Sequence, residues 1–130
     1  MESRKNLAAE KKRSGKYNCT QAVACTYCDL TGINEETAVK VGSAFAAGMG
    51  NMEGNCGALV GAGMILGLSG KSKAEIIQGM RRIMNNFQER NGATQCKLLK
   101  GIGSGKVLRE CPDCVADACE FLEEVLAEEA

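Results

Sequence analysis

The chain has 130 residues, the length of one domain with its own core, and its 45% apolar and 25% charged content is that of an ordinary folded protein. Sixteen basic residues balance sixteen acidic ones, aromatics make up 4%, and Trp is absent, which argues against nucleic-acid and anionic-membrane partners and against a base-stacking platform. Histidine is absent too, so Ser-His and Cys-His dyads are excluded, and a metal would have to be held by thiolate, carboxylate or backbone groups.

Apolar residues recur at helical spacing and only one proline, Pro112, interrupts the chain, so the sequence predicts an all-α protein: a single compact bundle of about five to six helices over residues 1–130. Residues 2–13 are charged and helix-prone, with a stop near Ser14-Gly15. The run Met1-Glu2-Ser3-Arg4-Lys5 leads into this charged stretch and not into an apolar one, which predicts no signal peptide and a cytoplasmic protein with its thiols mostly reduced. Asn18 is placed to cap a helix reaching about Leu30, stopped by Thr31-Gly32. Asn34-Glu35-Glu36-Thr37 opens a helix to about Gly48, with acidic residues suited to its first turn. Residues 48–54 read as a loop, and Asn55 as the cap of a helix through Leu68. That stretch, 58–68, is the best membrane-span candidate, yet it is far short of the roughly 20 apolar residues a span needs. Ser72 caps a long helix over about 73–90 that stops at Asn91-Gly92, and a short helix over about 94–99 follows. Gly101, Gly103 and Gly105 mark a flexible loop; the resemblance of residues 101–106 to a phosphate loop lacks both the full motif and a preceding strand. Pro112 then starts a last helix running to about Glu128.

Eight cysteines in such a chain ask for a role. Cys19, Cys56, Cys96 and Cys111 fall in the first turns of their predicted helices, where free N–H groups and the positive end of the helix dipole lower a thiol's pKa. Convergence of those four helix starts would make a thiolate-rich pocket for metal or redox chemistry. Of two Cys-x-x-Cys pairs, Cys111–Cys114 is the better redox or metal candidate, because Pro112 and a helix follow it. Cys25 and Cys28 fall mid-helix and Cys119 on the apolar face of the last helix, where they read as packing. Gly57-x3-Gly61 and Gly63-x3-Gly67 put four glycines in one short helix, each costing about 1 kcal/mol relative to Ala. Close packing of a neighbouring helix is the first explanation; contact of Asn55, Gly57 and Gly61 with a cofactor is the second.

Asn18-Cys19-Thr20-Gln21-Ala22-Val23, Cys56-Gly57-Ala58-Leu59-Val60-Gly61, Cys96-Lys97-Leu98-Leu99, and Cys111 with Val115 and Asp117-Ala118 behind it resemble the redox-active proteins named for their C_GCAxxG_C_C cysteine pattern, over about residues 8–127. The resemblance implies an all-helical redox domain with Cys19, Cys56, Cys96 and Cys111 as the functional set. Cys111 matches better than Cys114, since its Cys-x3-Val spacing fits the pattern. A similar domain in split-Soret cytochromes looks like an iron–sulfur-binding unit, which implies a cluster on the four cysteines, electron transfer with a redox partner protein, and a homodimer. Two alternatives stand beside it: a metal-free thiol–disulfide oxidoreductase using these cysteines, with Cys114 as a further participant, and a helical module with a structural zinc or no chemistry.

Overall fold

The computed structural model describes residues 2–128, and its regular elements there are all helical. In chain order they are α1 (Lys5–Arg13), α2 (Cys19–Ala24), α3 (Cys28–Thr31), α4 (Glu35–Gly42), α5 (Ala46–Met49), α6 (Gly57–Gly67), α7 (Lys73–Asn91), α8 (Cys96–Leu99) and α9 (Cys111–Leu126). The all-α expectation holds. No helix among the described residues is long and apolar enough to cross a membrane.

α9 is the central element. Cys114, Val115, Asp117, Ala118, Cys119, Phe121, Leu122 and Val125 are all buried, a stripe too wide for one partner, and α1, α2, α6 and α7 pack around it. The core between them is filled by Val23, Tyr27, Leu59, Leu66, Ile83, Phe87 and Leu122. α6 lies against α2 as well as α9. Its glycines explain the closeness of the first contact. A Cβ on Gly57 would sit 2.7 Å from Thr20 Oγ1, and one on Gly61 would sit 2.8 Å from the Thr20 carbonyl oxygen. The Thr20 hydroxyl donates to the Gly57 carbonyl (2.8 Å), a bond that the missing side chain permits. Gly63 meets only Met80, at ordinary contact distance, and Gly67 meets nothing within 4 Å. Helix packing is therefore what the first glycine pair serves.

Several boundaries follow the sequence. Asn18 and Ser72 form complete capping boxes with Gln21 and Glu75, Asn34 accepts from Thr37 N–H, and Gly32 and Gly92 terminate α3 and α7. Others depart from it. The helix expected from Asn18 to Leu30 breaks into α2, a 3-10 turn over Cys25–Tyr27, and α3, with the Thr26 hydroxyl bonded back to the Ala22 carbonyl at 2.7 Å. The helix expected to reach Gly48 ends at Gly42. There the side-chain amides of Gln21 and Asn18 donate to the carbonyls of Val39 and Gly42 (2.9 and 3.1 Å), supplying partners to carbonyls that helix continuation would have engaged. Asn55 is not a cap. Cys56 takes the N-cap position of α6 without a side-chain cap bond, and Asn55 instead bridges to Gln95 while its side-chain oxygen Oδ1 accepts from the Thr94 hydroxyl. The expected loop after α8 is closed by its own bonds: Gly105 N–H to Gly101 O, and Leu108 N–H back to Leu99 O.

Candidate functional site

The four cysteines of the expected set come from four separate segments: Cys19 opens α2, Cys56 caps α6, Cys96 opens α8 and Cys111 opens α9. Three local devices bring them together. Asn18 caps α2 one residue before Cys19. The stretch before α6 pairs with the stretch before α8: Cys56 N–H donates to Thr94 O (2.7 Å) and Cys96 N–H to Gly54 O (3.0 Å), which sets the two cysteines side by side. The turn after α8 returns the chain through Arg109 to Cys111 and Pro112, which occupy the first two positions of α9.

All four line one cavity of about 220 Å³, together with Cys114. Gly57 lines it as well, whereas Asn55 and Gly61 do not. The rest of the lining is Lys12, Asn18, Ala46, Ala47, Gly48, Leu99, Lys100 and Arg109. Cys56, Cys96 and Cys114 are buried; Cys19 and Cys111 are half-buried. Cys25 and Cys28 sit half-buried away from the cavity, at the 3-10 turn and the start of α3, and not inside one continuous helix as expected. Cys119 is core, as expected, beside Tyr27.

The thiols neighbour one another in series. Cys111 contacts Cys19, Cys19 contacts Cys56, and Cys56 contacts Cys114, whose sulfur lies 3.8 Å from the Arg109 carbonyl oxygen. This chain of contacts reverses the expectation of acidified thiols. The contact with Cys111 pulls the Cys19 pKa down, but donation to Cys56 and burial push it up further, to about 12. Donation to Cys114 and burial raise Cys56 to about 12, against a lowering contact with Cys19. Donation to Cys19 and burial raise Cys111, and burial raises Cys96. Lys12 and Lys100 pull the other way on Cys96 and Cys111 without prevailing. Burial, joined at Cys19, Cys56 and Cys111 by the neighbouring thiols, outweighs the helix-terminus effect.

Residues that the sequence left unassigned also build the site. Gly48 has φ +57, and a Cβ there would lie 2.6 Å from Cys96 Cβ. Ala47 beside it takes the same left-handed conformation at φ +51, so backbone freedom alone does not require glycine at 48; the approach of Cys96 does. Asp117, buried on α9, accepts from Arg109 Nε and Nη2 (3.0 and 3.1 Å), Arg90 Nη1 (3.0 Å) and Asn91 Nδ2 (3.1 Å). It thereby fixes the guanidinium of a cavity-lining arginine. Asp117 was visible only as one of the flanks of the cysteine pattern.

Among the described residues no group of three or more Cys, Asp or Glu side chains is gathered to hold a metal ion. As they stand, the cavity's thiols therefore do not form a closed metal site.

A family model described as "Putative redox-active protein (C_GCAxxG_C_C)" matches residues 17–125, a span that holds every cysteine of the chain. The chain belongs to this family. Comparison with curated proteins and with solved structures gave no match. Membership makes the protein one of a redox-active, cysteine-motif family; where the family pattern reads Gly-Cys-Ala-x-x-Gly, this chain reads Cys56-Gly57-Ala58-Leu59-Val60-Gly61, with cysteine and glycine exchanged, at the start of α6 with its two close-packed glycines.

Proposed function

We propose that this protein binds an iron–sulfur cluster on Cys19, Cys56, Cys96 and Cys111 and transfers electrons to and from a partner redox protein. The observation that carries this reading is the meeting of four thiols from four segments around one cavity of about 220 Å³. Four-cysteine ligation is the usual support of such clusters, and a cluster, unlike a single ion, needs its ligands spread around a volume. The donor set is soft: five thiols line the cavity, no carboxylate does, and the chain has no histidine. Cys114 adjoins Cys56 as a fifth donor. A bound cluster would supply one-electron chemistry. The chain's own residues do the rest. α2, α6, α8 and α9 orient the thiols, Leu99 supplies an apolar wall, and Lys12, Lys100 and Arg109 offset the negative charge that deprotonated thiols carry. Exchange and ligation both need the thiolate, so with the thiol pKa values raised either role has to release protons first. Thiols used in this way suit a reducing compartment, and the cytoplasm is our placement.

Metal-free thiol–disulfide exchange is the second reading, supported by the contact of Cys19 with both Cys111 and Cys56. Such a pair would lose two electrons and two protons to a disulfide acceptor and close its own S–S bond. Protein purified and reconstituted without oxygen separates the two. The cluster reading expects a brown protein with iron and acid-labile sulfide, lost on Cys19→Ser, Cys56→Ser, Cys96→Ser or Cys111→Ser and kept on Cys25→Ser or Cys119→Ser. A colourless, iron-free product overturns it. Reversible two-electron titration of that metal-free protein, abolished by Cys19→Ser, would then establish the second.

A further inference from the structure

The charge of the cavity lining is one-sided. Lys12 from α1, Lys100 at the end of α8 and Arg109 just before α9 all line it, and no Asp or Glu does. In a chain with 16 basic and 16 acidic residues this is not an average sample of the surface. Both lysines are half-buried, and among the described residues neither forms an ion pair. Among the described residues, then, neither ammonium is held by a carboxylate that would compete with an incoming anion. Arg109 is different: Asp117 engages its Nε–H and one Nη2–H, which fixes the plane of the guanidinium and leaves three of its five N–H groups available.

The backbone adds to the same field. α6 and α9 begin at this cavity, and both lack the side-chain cap that α2, α4 and α7 possess. The N–H of Gly57, on the lining itself, and that of Cys111 open these two helices without an N-cap side-chain bond. No aromatic ring lines the cavity, so nothing there stacks on a nucleobase or flavin, and its volume of about 220 Å³ suits a small ligand.

We propose that this cavity is also an anion-binding site, in which Lys12, Lys100 and Arg109 recognise a small inorganic oxyanion and hold it against the thiols. The site shares its location with the redox centre proposed above but does not depend on a cluster being bound. Asp117 serves it as a positioning residue, through Arg109.

The test uses the full chain, metal-free and fully reduced with dithiothreitol without oxygen, titrated with sodium sulfate at constant ionic strength and followed by calorimetry and by the amide NMR signals of Gly57 and Cys111. Wild type is expected to bind sulfate saturably at one site per chain, with those amides shifting. Losing two charge-assisted contacts in Lys12→Gln/Lys100→Gln should weaken binding at least about tenfold. Lys12→Arg/Lys100→Arg should retain it, as should Lys73→Gln, a lysine outside the cavity. Thermal unfolding of each variant shows that the protein is folded when assayed. Absence of saturable binding in wild type, or equal binding in the Gln variant, overturns the proposal. Iron loading is measured separately, so failure to load a cluster with sulfate binding intact refutes the cluster alone.

Discussion

Two glycines in one helix should respond oppositely to the same substitution. Gly61 and Gly63 are both inside α6, two residues apart. Adding a methyl group at a helix interior removes backbone entropy from the unfolded chain and is worth roughly 1 kcal/mol in favour of the helix at either position. What differs is the room. At Gly63 the new Cβ would meet Met80 Sδ at 3.5 Å, an ordinary contact with a flexible side chain. At Gly61 it would lie 2.8 Å from the Thr20 carbonyl oxygen and 2.9 Å from Val23 Cβ. Those are a backbone atom and a branched core side chain, so α2 and α6 must separate. Overpacking of this kind costs about 1–3 kcal/mol, which outweighs the helix term. Gly61→Ala is therefore expected to lose up to about 2 kcal/mol net, and Gly63→Ala to gain up to about 1 kcal/mol. Urea unfolding of reduced protein, with the midpoint compared at constant m, measures both. Because α2 begins at Cys19 and α6 at Cys56, the Gly61 variant should also expose these thiols to alkylation, whereas the Gly63 variant should not. If Gly61→Ala is as stable as Gly63→Ala, the close approach of the two helices is refuted.

Asp117→Asn removes the charge from a buried carboxylate that accepts four hydrogen bonds, and should destabilise the fold by about 2–3 kcal/mol, the half-exposure of both arginines moderating the loss; a change under 0.5 kcal/mol by urea unfolding, roughly that of a plain surface site, would show that the cluster is not integrated. Gly48→Ala brings a Cβ to 2.6 Å from Cys96 Cβ, so the Cys96 thiol should become more reactive in a mass-resolved alkylation assay, with Ala47→Gly as the near-neutral control. The Cys19 and Cys56 thiols, raised from 9.0 to about 12, should alkylate far more slowly at pH 9 than a free cysteine and gain reactivity only towards pH 12. The same shifts fix the sign of the linkage. In the metal-free protein the neutral thiols contribute stability fully below pH 9, and it is lost as pH rises from 9 towards 12, because the unfolded chain ionises first. A stability profile flat between pH 9 and 11 would refute those shifts.

Much of the fold was legible because its signals are local. Asn18 with Gln21 and Ser72 with Glu75 are capping boxes wherever they occur, and Gly32 and Gly92 end helices as expected. At the Cys25 break the accompanying bond is local, from the Thr26 hydroxyl to the Ala22 carbonyl, a contact Thr also makes inside unbroken helices. The end of α4 at Gly42 was not legible, because its cause is a contact between distant residues: Gln21 and Asn18 reach carbonyls of α4. Asn55 failed as a cap for the same reason, its side chain being engaged by Thr94, 39 residues away. Among the site residues, spacing and family resemblance selected Cys19, Cys56, Cys96 and Cys111, but nothing in the spacing made Lys12, Lys100, Arg109 or Gly48 distinctive. A lysine carries no local pattern that reveals an unpaired charge, and Gly48 reads as one more loop glycine.

By itself, the sequence determined the helical class, most helix ends and the family, and it singled out four cysteines as candidates, all from short-range periodicity, capping chemistry and motif spacing. Only the tertiary structure decided that those cysteines share one cavity with Cys114, that the cavity's charged lining is entirely cationic, and that the thiols are held protonated instead of acidified. The first two depend on the pairing of residues 54–56 with 94–96 and the packing of α2 on α6. The third depends on burial, which overrides a helix terminus once several thiols are buried side by side.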